Sequence, residues 1–129
     1  MNSIRKINDK TFETDFAVIE IGDDNIIRVQ GKEGVDVNKN DLILLHNWLI
    51  SLKLDKYLIL ADRTHSYSHT FDAQRYMSEI NYITALAMVV NSPVSKELAE
   101  LAKDVYMKNF PVKVFAEKQD ALKWLKSFA

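Results

Sequence analysis

Residues 57–75 read YLILADRTHSYSHTFDAQR. An unbroken apolar run, Tyr57 to Ala61, gives way at Asp62 to nine residues, ending at Thr70, without one aliphatic side chain. A segment apolar on both faces reads as a central parallel strand covered above and below. The polar residues behind it are then delivered to the carboxyl rim of a sheet, where α/β domains place their sites.

The segments on either side agree with that reading. Upstream, Phe16–Ile21 (FAVIEI) and Ile26–Gln30 (IIRVQ) flank GDDN, whose residues tolerate tight-turn backbone angles, and the spacing predicts an antiparallel hairpin. Asn38 to Leu52 is predicted as a helix, capped by Asn38 or Asn40, with Asp41 in its first turn. Leu42, Leu45, Trp48, Leu49 and Leu52 form its sheet-facing stripe, while Ile43 and Ile50 lie on a second flank. Downstream, a helix is predicted from about Thr70 to Ile80 and a second fully apolar strand over Ile83–Val90, stopped by Asn91, Ser92 and Pro93. A helix from Pro93 to about Lys108 places Leu98, Leu101, Ala102 and Val105 on its packing face; Val112–Phe115 is the last strand and about Gln119–Phe128 the last helix.

The order β-β-α-β-α-β-α-β-α predicts an α/β fold: a mixed five-stranded sheet, an N-terminal antiparallel hairpin followed by parallel strands. Residues 1–129 form one domain, with 1–15 as an N-terminal extension. Crossovers of one hand place helices mainly on one face, so the N-terminal fifteen residues or a second copy is expected to cover the other.

Seventeen Lys plus Arg against eighteen Asp plus Glu leave a net charge of −1, which supplies no positive field for nucleic acid. Absence of cysteine excludes disulfides and thiolate chemistry and fits a reducing compartment. No run approaches a membrane span and residues 1–15 lack the apolar core of a signal peptide, so a cytoplasmic protein is expected.

The residues that carry chemistry are few. Asp62 and Arg63 end the central strand, and Ser92 and Ser95 follow the next; on a parallel sheet they reach one rim, where two helix amino ends favour an anion, and a ligand or phosphate site is expected there. The plainer reading makes Ser92 and Thr70 helix caps and pairs Asp62 and Arg63 with each other or with neighbours. His65 and His69 have the spacing of helical metal ligands, but they lie in a loop, far in sequence from His46 and with no HExxH pattern. No metal or cofactor is expected. Asp23 and Asp24 are turn formers, and with no GxSxG elbow or glycine-rich phosphate loop an enzyme is not expected.

The block ITALAMVVNSPVSKELAELAKDVYMKNFPVKVFAEKQDALKWL, with its strand ending in NSP, then PVKVF and the closing ALKWL, resembles the STAS domains, the sulfate-transporter and anti-sigma-factor-antagonist fold, and their lipid-carrying relatives of the Sec14 group. The similarity is to a bacterial branch of unassigned function. It implies a sheet wound as a right-handed superhelix, acting through protein contacts or ligand binding. Regulatory STAS domains accept phosphate on a hydroxyl in an Asp-Ser-x-Gly motif; the matching region here is His69, Thr70, Phe71, Asp72, so that Thr70 alone carries over as a phosphoacceptor.

The expected function is therefore a noncatalytic regulatory or scaffolding domain working by contact with an unknown protein partner. It is expected to self-associate as a dimer, with Ile43, Ile50, Tyr67 and Phe71 at the interface. The alternative is a carrier or sensor of a small apolar or phosphorylated ligand. A carrier requires an internal cavity of several hundred Å³; a contact module requires only an exposed patch.

Overall fold

The computed structural model describes residues 3–65 and 67–129. Ser66, within the polar run, lies outside the described residues. The chain begins with two short strands, β1 (Arg5–Lys6) and β2 (Thr11–Glu13), before the predicted hairpin of β3 (Ala17–Ile21) and β4 (Ile26–Gly31). In the hairpin turn Asn25 takes a left-handed φ of 62°, a conformation that asparagine tolerates. Between β2 and β3 the buried Thr14 hydroxyl accepts from the amides of Phe16 (3.1 Å) and Ala17 (2.9 Å), which folds the chain back on itself.

After β5 (Asp36–Val37) comes α1 (Lys39–Ser51), closed by a capping box: the Asp41 amide donates to the Asn38 side chain, and the Asn38 amide to the Asp41 carboxylate. Then follow β6 (Leu58–Asp62), β7 (Ser68–His69), α2 (Phe71–Met77), β8 (Ala85–Val89), α3 (Pro93–Tyr106), β9 (Val112–Phe115) and α4 (Lys118–Lys126).

Among the described residues the main sheet has seven strands, in the order β1-β2-β3-β4-β6-β8-β9. This corrects the expected five. The two additional strands come from the N-terminal fifteen residues, which lengthen the antiparallel edge; β1 and β2 are too short and polar to show the alternation by which strands are read. The parallel half matches the expectation: Leu60 pairs with Ala87, and β4, β6, β8 and β9 all run the same way.

Each face of the sheet has its own core. Ile27, Ile59, Leu86 and Met88 pack beneath Leu42, Leu45 and Leu49 of α1, Ala73 of α2 and Ala99 of α3. On the other face Ile26, Leu58, Leu60, Ala85, Ala87 and Val89 are covered by Ala121 and Leu125 of α4. Full burial of each such aliphatic side chain contributes about 2 kcal/mol. The closing helix, rather than the N-terminus or a second copy, therefore covers the second face. The N-terminal residues lay Phe12 on Trp48 of α1, ring centroids 4.8 Å apart.

The polar run after β6 has structure of its own. β7 pairs in parallel with β5, Ser68 opposite Asp36 and His69 opposite Val37, and the Ser68 hydroxyl donates to the Asp36 carboxylate at 2.8 Å. This clip ties the loop leaving β6 to the loop leaving β4.

Candidate functional site

The packing stripe expected on α3 does not reach the sheet. Ala99 is buried, whereas Leu98 and Leu101 are each 60% exposed and Val105 48%. Between α1 and α3, bordered by Gln74 and Met77 of α2, lies an apolar cavity of about 410 Å³. Its floor is β-sheet: Val29, Ile59, Ala61, Leu86 and Met88. One wall is α1, with Leu42, Leu45 and Leu49; the other is α3, with Leu98, Leu101, Ala102 and Val105. Tyr67 and His69, carried in by the β7 clip, stand at one end with their ring centroids 5.5 Å apart.

Its polar groups are sparse and uncharged apart from Arg63. His46, buried on α1, shares a hydrogen bond through Nδ1 with the Tyr82 hydroxyl. Burial lowers the His46 pKa to about 4 and raises that of the Tyr82 phenol, so near neutral pH both partners carry no charge. His69 is likewise lowered to about 4, by burial first and by the positive charge of Arg63 second.

Strand alternation sends the two residues of the rim candidate, Asp62 and Arg63, to opposite sides. Asp62 is buried on the α4 face. There it accepts from the Thr64 amide (3.0 Å), the Thr64 hydroxyl (2.7 Å) and the Gln30 amide group (3.4 Å), and pairs with Lys118 at 3.2 Å. Burial opposes its ionisation, but the Thr64 hydrogen bonds and the Lys118 ammonium outweigh it and hold the carboxyl below its ordinary range. Arg63 instead turns to the groove, its guanidinium 5.6 Å above the Tyr67 ring.

Arg63 and Ser95 do share a site. They line a second, more polar cavity of about 340 Å³ together with Thr64, His65 and Asn91, and the Asn91 side-chain amide donates to the Thr64 carbonyl at 3.2 Å. Ser92 caps α3, its hydroxyl accepting from the Ser95 amide (3.1 Å) and donating to the Ser95 hydroxyl (2.9 Å). Thr70 caps α2: its hydroxyl accepts from the Ala73 amide at 3.2 Å and donates to the Asp72 carboxylate.

The remaining candidates scatter. Phe71 is 67% exposed beneath the Arg75 guanidinium, Ile50 is exposed, and Ile43 is half-buried on the flank of α1. His65 lies 3.6 Å from Glu33, away from His69, and among the described residues no cluster of three metal-ligating side chains forms. No helix of the described residues is long and apolar enough to cross a membrane. Sequence reasoning did not join His46 to Tyr82, which are far apart in the chain and become a pair only when α1 meets the segment before β8.

Residues 19–129 match the model of a domain of unknown function, DUF7793. The chain belongs to the DUF7793 family. Among solved structures, this DUF7793 chain is similar to an uncharacterised protein of the DUF3478 family with a SpoIIAA-like fold from Shewanella loihica PV-4, at TM-score 0.62 and 15% identity, over 97% of this chain and 95% of that one. At that identity the likeness shows the fold, and the STAS-like scaffold implied by the NSP–PVKVF–ALKWL block is the one that the DUF7793 chain adopts. A search of curated proteins finds no match.

Proposed function

We propose that this domain is a noncatalytic binding module that takes a small, largely apolar ligand into the groove between α1 and α3 and serves as its carrier or sensor. The observation that carries this reading is the cavity of about 410 Å³ with its half-exposed α3 wall. Ligand sites of this kind span roughly 300–1,000 Å³, apolar with a few placed polar groups. Leu98, Leu101 and Val105 are poorly covered by the protein itself, and a ligand would cover them at about 25 cal/mol per Å². The noncatalytic part of the reading is supported by the occupation of the rim hydroxyls: Thr70 and Ser92 are engaged as helix caps, and His46 is engaged by Tyr82. Native mass spectrometry of the protein purified from its own cells tests the reading. A co-purifying small-molecule mass supports it, and an empty protein that also fails to bind any aliphatic probe overturns it.

A second reading, protein contact with self-association as one form of it, is favoured by a different observation. Val94, Leu98, Leu101 and Val105 follow one face of α3, all exposed, and Phe71 stands out from α2. Light scattering at high micromolar concentration separates the two: a monomer removes self-association and leaves the ligand reading intact.

A further inference from the structure

The two cavities are not independent. Arg63, Tyr67 and Leu98 line both, so a polar chamber opens off one end of the apolar groove with a guanidinium at the junction. Among the described residues, the nearby carboxylate contacts are His65 with Glu33 at 3.6 Å and Lys118 with Asp62 at 3.2 Å, and neither includes Arg63. Asp36, the other carboxylate of this rim, accepts from Ser68. Arg63 is thus a cation held against a tyrosine ring, beside an apolar cavity, with no carboxylate paired to it among the described residues. The planar fork of a guanidinium fits carboxylate or phosphate oxygens two at a time. Ser95, in the first turn of α3, brings the positive end of that helix to the same chamber.

Resting on the ligand-binding reading above, we infer that the ligand is a small amphipathic anion, its apolar body in the groove and a carboxylate or phosphate head held by Arg63 in the adjoining chamber. At about 30 Å³ per water-sized atom, the larger cavity holds a body of roughly a dozen heavy atoms.

Calorimetric titration of the full chain with decanoate, decyl phosphate and decanol tests this. At least one anion binds about tenfold or more tighter than decanol, since a charge-assisted hydrogen bond is worth that much; which anion binds tighter identifies the head. Arg63→Gln removes the preference of the anions over decanol, with urea unfolding of the variant reporting that it is folded, and Arg63→Lys, which keeps the charge but not the planar fork, retains only part of it. Decanol binding as tightly as both anions, or Arg63→Gln weakening all three alike, overturns the assignment of the head and leaves the apolar groove standing. Binding of none of the three overturns the groove reading along with it.

Discussion

The ring of Tyr67 lies where a β-carbon on Gly31 would stand: that atom would fall 2.5 Å from Cε1 and Cζ of the ring. The glycine is required here by close approach, since the last residue of β4 is the surface on which the tyrosine closing the groove rests. Gly31→Ala is therefore expected to cost about 1–3 kcal/mol, the usual penalty of overpacking, and to displace Tyr67 from Arg63. Denaturant unfolding checks it through a double-mutant cycle. Combined with Tyr67→Ala, the glycine substitution should add almost nothing, and an undiminished penalty in that background would mean the ring is not what it strikes.

Acid should destabilise the domain above the carboxylate range. His46 titrates at about 4 in the folded chain and near 6.5 in the unfolded one, so between these values the unfolded state binds more protons. Its contribution is complete above about pH 6.5 and is lost as pH falls towards 4, amounting to about 3 kcal/mol. His69 acts in the same direction. Stability measured by urea from pH 7 to 4.5 should fall, and His46→Leu should flatten that slope; an equally steep slope in the variant contradicts the assignment.

Asp62 and Lys118 form one ion pair but contribute unequally. The carboxylate is buried and makes four polar contacts with three residues, Thr64 twice, Gln30 and Lys118, whereas the lysine side chain is 56% exposed. Asp62→Ala strands Thr64 and Gln30 and should cost about 2–3 kcal/mol; Lys118→Ala should cost about 0.5 kcal/mol. Equal losses would place the stabilisation in the ion pair rather than in the hydrogen bonds.

On α3 and α1, two leucines of similar sequence character should behave differently. Leu49 is fully buried beneath α1, and Leu49→Ala should cost about 2–5 kcal/mol. Leu101→Glu should change stability by about 0.5 kcal/mol or less, because the site is open to water, while weakening the binding of aliphatic probes in the groove. Thermal unfolding and probe titration, measured on both variants, distinguish an exposed groove wall from a core position.

Much of the scaffold was legible because its signals are local. The apolar runs of β6 and β8 declare strands buried on both faces, and Asn38, Thr70 and Ser92 mark helix starts through hydrogen bonds only a few residues long. The alternation that separates Asp62 from Arg63 was also present in the sequence, in the period of two that sends neighbouring strand residues to opposite faces. Grouping them by position at the rim overlooked it.

The amino-acid sequence by itself determined the order of the four helices and of the five strands β3, β4, β6, β8 and β9, the parallel pairing of the segments around Leu60 and Ala87, and the polar character of the rim, but not the short strands β1, β2, β5 and β7. Tertiary structure alone decided that residues 5–13 join the sheet, that α4 rather than α1–α3 closes its second face, and that α3 meets the core through Ala99 while Leu98, Leu101 and Val105 stay open to the cavity. The stripe Val94, Leu98, Leu101 and Val105 says which side of a helix shuns water and nothing about the distance to its neighbour. In the folded chain Ala99, one position away from the stripe, is the α3 residue buried against the core, so the helix turns a different side to the sheet and the predicted packing face became the wall of a cavity.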